Sequence, residues 1–359
     1  MRSFVGLATA LALFVVLTGP AAPAGTSSAI TSSKGMGAKL AEPLLPEPPP
    51  PPPLPPTLAL TGLPVPPGAQ GLLGRPVLAV KIDNARPARP QDGLDRADIV
   101  MTEVVEDGIT RFLALYQSVD PGNVGPVRSG RDLDALLLPA FTPVLGMSGA
   151  APPTLAVLQA AGLRMFHEHA NPPHAGVPGL GALFRVGDRR RPYNMFLNAP
   201  GMWAQSAGLP APAPAWPFDP AVPLGGSPSA GLALTFSPNA SASWAWDPPA
   251  GMWRRSQDGA AHLGVGGQQL GARNVVLVRA MVVPGSGVDV TGSRTADTLV
   301  IGEGEAIVLR DGLAFPARWR KTGPAAQFEW LTLDGAPLPL APGTTWVELQ
   351  PLGQPFSLL

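Results

Sequence analysis

The sequence predicts an N-terminal α+β (or α/β) domain followed by a mostly β C-terminal domain. Three observations predict it. Apolar runs between residues 77 and 116 are followed by two short helical stretches. Beyond residue 230, short apolar runs alternate with Asp-Gly and Pro-Gly turns, and no amphipathic helix interrupts them. Between the two textures, residues 204–230 are rich in Pro, Ala and Gly, the composition of an interdomain linker.

The chain of 359 residues opens on Met1-Arg2 and an apolar run of about 14 residues from Phe4 to Leu17, the pattern of a signal peptide. Ala22-Pro23-Ala24 offers small residues for cleavage, so residues 1–24 are expected to be removed, leaving no membrane span; the alternative is a retained anchor, for which the run is shorter than the ~20 apolar residues of a span. Leu17-Thr18-Gly19 begins like a lipoprotein box, but Pro20 stands where the lipidated cysteine belongs. Residues 25–57 read as a disordered linker whose proline core favours a polyproline II spacer. The expected compartment is therefore outside the cytoplasm: periplasmic, cell-surface or secreted.

The first domain is expected over residues 58–203. In Val77 to Ile82 every position but Lys81 is apolar, as in a strand covered on both faces. Ile99 to Val105 and Ile109 to Tyr116 read the same way, with Asp107-Gly108 as the hairpin signal between them. Ser129 is expected to cap a helix carrying Asp132 in its first turn and running to about Leu138, where Pro139 and Pro143 stop it. Pro152 and Gly162 bracket a second helix over residues 154–161. The second domain, residues 231–359, has strand-like runs at 232–236, 274–278, 298–301, 305–309 and 345–349. Its tryptophans (Trp244, Trp246, Trp253, Trp319, Trp330 and Trp346) are expected in the core, with a carbohydrate-stacking platform as the functional alternative.

Charged residues make up 14% of the chain and the net charge is +0, which supplies no cationic field for nucleic acid. With no cysteine there is no disulfide, thiol catalysis or thiolate metal site. Against this charge-poor background, Arg111, Arg128 and Arg131 gather near strand ends and a helix start, where with Ser129 they suit a phosphate or carboxylate. Their alternative is structural pairing with Glu103, Glu106, Asp107 or Asp132. Asp83 and Asn84 end a buried strand, the usual ligand edge of an open α/β sheet; the alternative is a strand-end turn in which both bond neighbouring backbone. The candidate ligand-binding set is Asp83, Asn84, Arg86, Glu103, Arg111, Arg128, Ser129, Arg131 and Asn194. His167-Glu168-His169 with His174 lacks a clear fourth ligand, so no metal site is expected. No nucleophile elbow, phosphate-binding Gly-Lys-Ser loop or dinucleotide fingerprint is present.

Leu60-Thr-Gly-Leu-Pro64, Pro76-Val-Leu-Ala-Val-Lys-Ile-Asp-Asn84, Arg86, Arg89-Pro90, Ala97-Asp-Ile-Val100, Gly108-Ile-Thr-Arg-Phe112 and Gly125-Pro-Val-Arg-Ser129 resemble the N-terminal part of the YerB-like DUF3048 family. Trp253-Arg-Arg255, Asp258-Gly259, His262, Gly302-Glu-Gly304, Asp311-Gly312, Trp319 and Pro342-Gly-Thr-Thr-Trp346 resemble its C-terminal part. The resemblance implies a fold and an exported bacterial protein, commonly a lipoprotein, with no established activity. The function expected is a non-catalytic envelope module, without a cofactor, that binds an anionic envelope ligand or a cell-wall synthesis protein or serves as a scaffold for the cell-wall synthesis machinery. The alternative is a phosphotransferase acting on pyrophosphate-linked precursors. The order of Asp83, the arginines and Pro126 to Asp132 resembles the LytR-CpsA-Psr enzymes, without their Ser-Ile-Pro-Arg-Asp tract. In that reading Asp83 would hold Mg²⁺ or act as base, and Arg128 and Arg131 would neutralise the phosphoryl group.

Overall fold

A computed structural model describes residues 55–168, 182–288 and 292–359. The signal segment, almost all of the proline-rich linker, and His169 and His174 lie outside the described residues. The first three strands are β1 (Leu78–Asp83), β2 (Ile99–Val104) and β3 (Thr110–Tyr116), buried at every position. Such strands need cover on both faces, which explains their unbroken apolar runs. β2 and β3 form the expected hairpin, with Asp107 and Gly108 at φ 58° and 70° in its turn. Asp and Gly tolerate the left-handed conformation that this turn requires. β1 pairs antiparallel with β3 from Leu78↔Tyr116 to Asp83↔Arg111.

After β4 (Asn123–Val124), helix α1 spans only Asp134–Leu137. Here the expected capping box is corrected. Leu133 holds the cap position without a side-chain bond, and Ser129 lies in the preceding loop. Asp134 instead accepts from the Arg131 amide at 2.9 Å, which folds residues 131–134 into a turn before the helix begins. β5 (Val144–Gly146) runs parallel to β1, α2 (Pro152–Ala160) follows, and β6 (Arg164–Phe166) runs parallel to β5. β7 (Leu183–Arg185) and β8 (Met195–Asn198) form a small sheet with β4, and Asn198 caps α3 (Ala199–Gln205) through the Gly201 amide.

The C-terminal half is strands: β9 (Ser227–Pro228), β10 (Gly231–Ser237), β11 (Ala240–Asp247), β12 (Met252–Gln257), β13 (Ala260–Ala261), β14 (Gly271–Ala272) and β15 (Asn274–Ala280). Then come β16 (Val282–Val288), β17 (Arg294–Thr298), β18 (Gly302–Arg310), β19 (Leu313–Lys321), β20 (Glu329–Leu331), β21 (Thr345–Pro351) and β22 (Phe356–Leu358). Asp-Gly turns with both residues at positive φ join β12 to β13 and β18 to β19. The strand expected at 298–301 is displaced. β17 ends at Thr298 and β18 begins at Gly302; of the three residues between, only Val300 is buried, while Leu299 and Ile301 face outward.

One sheet joins the halves. Its order is β20-β19-β18-β15-β21-β2-β3-β1-β5-β6, with β9 beside β19. The junction is a parallel pairing of β2 with β21, from Ile99↔Thr345 to Thr102↔Glu348. The sheet β13-β12-β11-β10-β22, with β14 beside β12, shares a core with one face of the central sheet. Trp244 and Trp346 meet edge to face at 5.3 Å in that core, and Trp253, Trp319 and Trp330 are buried too, as expected; Trp246 is half-buried. No helix among the described residues is long and apolar enough to cross a membrane.

Candidate functional site

β1 and β5 are parallel, and their carboxyl ends stop at the same edge of the sheet. A crevice at such an edge is where open α/β sheets bind ligands. Here it is a cleft of about 460 Å³. Arg111, Arg128, Arg131 and Glu106 line its charged wall. Gly149, Ala150, Ala151 and Pro152, leading into α2, form an apolar wall, and Val288 and Thr295 of β16 and β17 form a third side. The loop carrying the arginines is pinned by backbone bonds: the Arg128 amide donates to the Lys81 carbonyl at 2.8 Å and Ser148 donates to the Arg128 carbonyl at 3.0 Å. Gly130 donates to the Gly149 carbonyl at 3.0 Å, and a Cβ at Gly130 would meet the Met147 sulfur at 2.7 Å.

The arginines differ in how far their charge is spent. Arg131 pairs with Glu106 and donates to the Gly130 carbonyl at 2.7 Å. Arg111 donates to the Ser129 carbonyl at 2.9 Å and stands 3.8 Å from Glu106. Its pKa is pushed down to about 10, first by burial and next by the neighbouring Arg131. Arg128 touches Asp83 through Nε at 3.2 Å, and its Nη groups have no partner among the described residues. Its side chain is 29% exposed, the most open of the three. Asp83 also accepts from the Ala85 amide at 2.9 Å.

Below this wall lies a second charged layer. Lys81, fully buried, reaches Glu103 at 2.5 Å and Asp134 at 2.6 Å. Burial raises the Glu103 pKa against the lowering pull of Lys81. Asp134 links the layers, because its other oxygen holds the Arg131 amide. The remaining candidates are elsewhere. Asn84 faces the opposite side of the sheet and donates to Thr110 at 2.7 Å and Gln257 at 2.9 Å. Arg86 is exposed on a separate pocket of about 200 Å³, beside the Arg89–Asp258 pair. Asn194 accepts from Arg185 at 2.7 Å. Among the described residues no group of three or more His, Asp and Glu side chains could hold a metal.

Residues 60–210 match the N-terminal domain of DUF3048, a protein family of unknown function, and residues 232–347 match its C-terminal domain. The chain belongs to the DUF3048 family. It is 43% identical over 93 residues to "Putative lipoprotein YerB" of Bacillus subtilis (strain 168), a stretch that covers 26% of this chain and 27% of that relative. The crystal structure of the YerB protein from Bacillus subtilis aligns with a TM-score of 0.70 at 25% identity, covering 84% of this chain and 99% of that one. In DUF3048 terms the arginines belong to the N-terminal domain, whereas Val288 and Thr295 belong to the C-terminal one. The cleft is thus an interdomain site, a common place for ligands.

Sequence reasoning missed the apolar wall and the hairpin side of the cleft, because alanines and a valine carry no chemical signature. It also missed a buried cation between the sheets. Arg255 is fully buried, pairs with Glu348 at 3.1 Å, donates to Gln257 at 2.7 Å and lies 4.8 Å from the Trp346 ring centre. Arg255 Nη1 donates to His262 Nδ1 at 2.8 Å, and the other ring nitrogen of His262 contacts Gln91 at 2.9 Å; burial, then Arg255, holds the His262 pKa well below the ordinary range.

Proposed function

We propose that this DUF3048 protein is an envelope-associated binding module that holds an anionic ligand in the interdomain cleft. The observation that carries the reading is the meeting of Arg111, Arg128 and Arg131 on one wall at the carboxyl ends of β1 and β5. Three guanidinium groups face two carboxylates there, Glu106 and Asp83. Neither Nη of the partly exposed Arg128 donates a hydrogen bond to a described residue, which leaves a fork that suits a planar pair of oxygens. The envelope location rests on the export-like start of the sequence and on likeness to a Bacillus protein named as a lipoprotein.

Titration calorimetry with acetate and with inorganic phosphate tests this reading. Saturable 1:1 binding of at least one of them is expected, weakened about tenfold or more in Arg128→Ala, the loss of about 1.4 kcal/mol or more that fits a charge-assisted contact. Circular dichroism of the variant should be unchanged, since Arg128 is partly exposed. Absence of binding by both of these anions, and by larger organic carboxylates and phosphodiesters as well, sinks the reading.

A further inference from the structure

The cleft's size and charge narrow the class of ligand further, on the premise that it binds anions at all. Its volume, about 460 Å³, lies in the range of pockets for small organic molecules and is far too large for a bare inorganic ion to fill. Its second wall, Gly149 to Pro152, presents small apolar surface, and Val288 faces it from the hairpin of the other domain. The charge count points the same way. Among the residues that line the cleft or pair with its arginines, Arg111, Arg128 and Arg131 oppose Glu106 and Asp83, an excess of one positive charge. The layer beneath contributes little towards a second: Lys81 is shared by Glu103 and Asp134, and burial favours the neutral form of Glu103.

We propose that the cleft selects an organic monoanion, a carboxylate or a phosphodiester, carried on a compact apolar body. The two anionic oxygens lie against the Arg128 fork with Arg111 behind it, and the apolar body lies on Ala150 and Ala151. Inorganic phosphate lacks the body, and pyrophosphate brings more charge than the wall balances.

Calorimetry on the full chain with N-acetyl-alanine, dimethyl phosphate, inorganic phosphate and pyrophosphate tests this. At least one of the organic monoanions should bind about tenfold or more tighter than either inorganic ion. The arm that binds tells carboxylate from phosphodiester. Ala151→Trp, half-exposed at the head of α2 and therefore tolerable to the fold, should weaken the organic monoanion at least tenfold more than it weakens inorganic phosphate. Pyrophosphate or phosphate binding as tightly as the organic ions overturns the inference and leaves the anion-binding reading standing. Loss of phosphate binding together with the organic ion in Ala151→Trp, at unchanged melting temperature, also overturns it. If none of the four binds, both readings fall.

Discussion

At the residue scale, the most consequential side chain is Lys81. It is the one charged residue in the apolar run from Val77 to Ile82, and that interruption was visible in the sequence. Its purpose was not, because its partners sit 22 and 53 positions away, at Glu103 and Asp134. Removing one member of a buried ionic cluster strands the others in a medium that cannot solvate them. Lys81→Met should therefore cost about 3–5 kcal/mol in urea unfolding. The pH dependence has a definite sign. The fold raises the Glu103 pKa, so the native state holds that proton more tightly than the unfolded chain does. Stability from this group falls as pH rises above the ordinary glutamate range, and losing the ammonium of Lys81 enlarges the effect. The difference between Lys81→Met and the parent should be greatest near neutral pH and shrink on acidification towards pH 4.5. A pH-independent difference would remove the ionic explanation. The arginines show the same limit: their proximity to strand ends was legible, whereas the division between the Glu106-bound Arg131 and the half-open Arg128 depends on contacts no spacing encodes.

At the scale of elements, local chemistry was readable where it is decided locally. The Asp107-Gly108, Asp258-Gly259 and Asp311-Gly312 pairs all adopt positive φ. Asp98 of the Ala97-Asp98 motif holds the Gln117 and Ser118 amides at 2.6 and 2.9 Å, stitching the start of β2 to the end of β3. The turn glycine can be tested. Gly108 sits at φ 70°, and a Cβ there would meet Ser237 at 2.8 Å. Gly108→Val combines left-handed strain of about 1–2 kcal/mol with that contact. A melting temperature lowered by several degrees is expected; an unchanged one would show that the turn relaxes freely. The α1 reading failed for a tertiary reason. Ser129 had the residue type of a cap, yet its carbonyl is taken by Arg111 and its loop is tied to Gly149, so the helix starts later.

At the scale of the molecule, two recognisable halves were legible, but their joining was not. Neither β2 nor β21 carries a mark of its partner, and their pairing spans Ile99 to Thr345. Trp346 donates to Thr102 at 2.8 Å and Gly343 donates to Thr61 at 2.8 Å, so the Pro342-Gly-Thr-Thr-Trp346 motif fastens the end of the chain to the first domain. Both strands are buried at nearly every position. Separating residues 55–210 from 231–359 would expose a backbone ladder and two apolar faces. Each piece alone should fail to give a cooperative transition, and the intact protein should unfold in one step by fluorescence and circular dichroism together. Two independent transitions would argue against the shared sheet.

The β2–β21 pairing also constrains the order of events during biosynthesis. A ribosome releases the first domain long before the strand that must lie beside it. Until residues 345–351 emerge, the middle of the sheet has an open flank, and its inner edge is a template for any other extended chain. The central sheet can therefore be closed only after β21, its last strand in chain order, has been made.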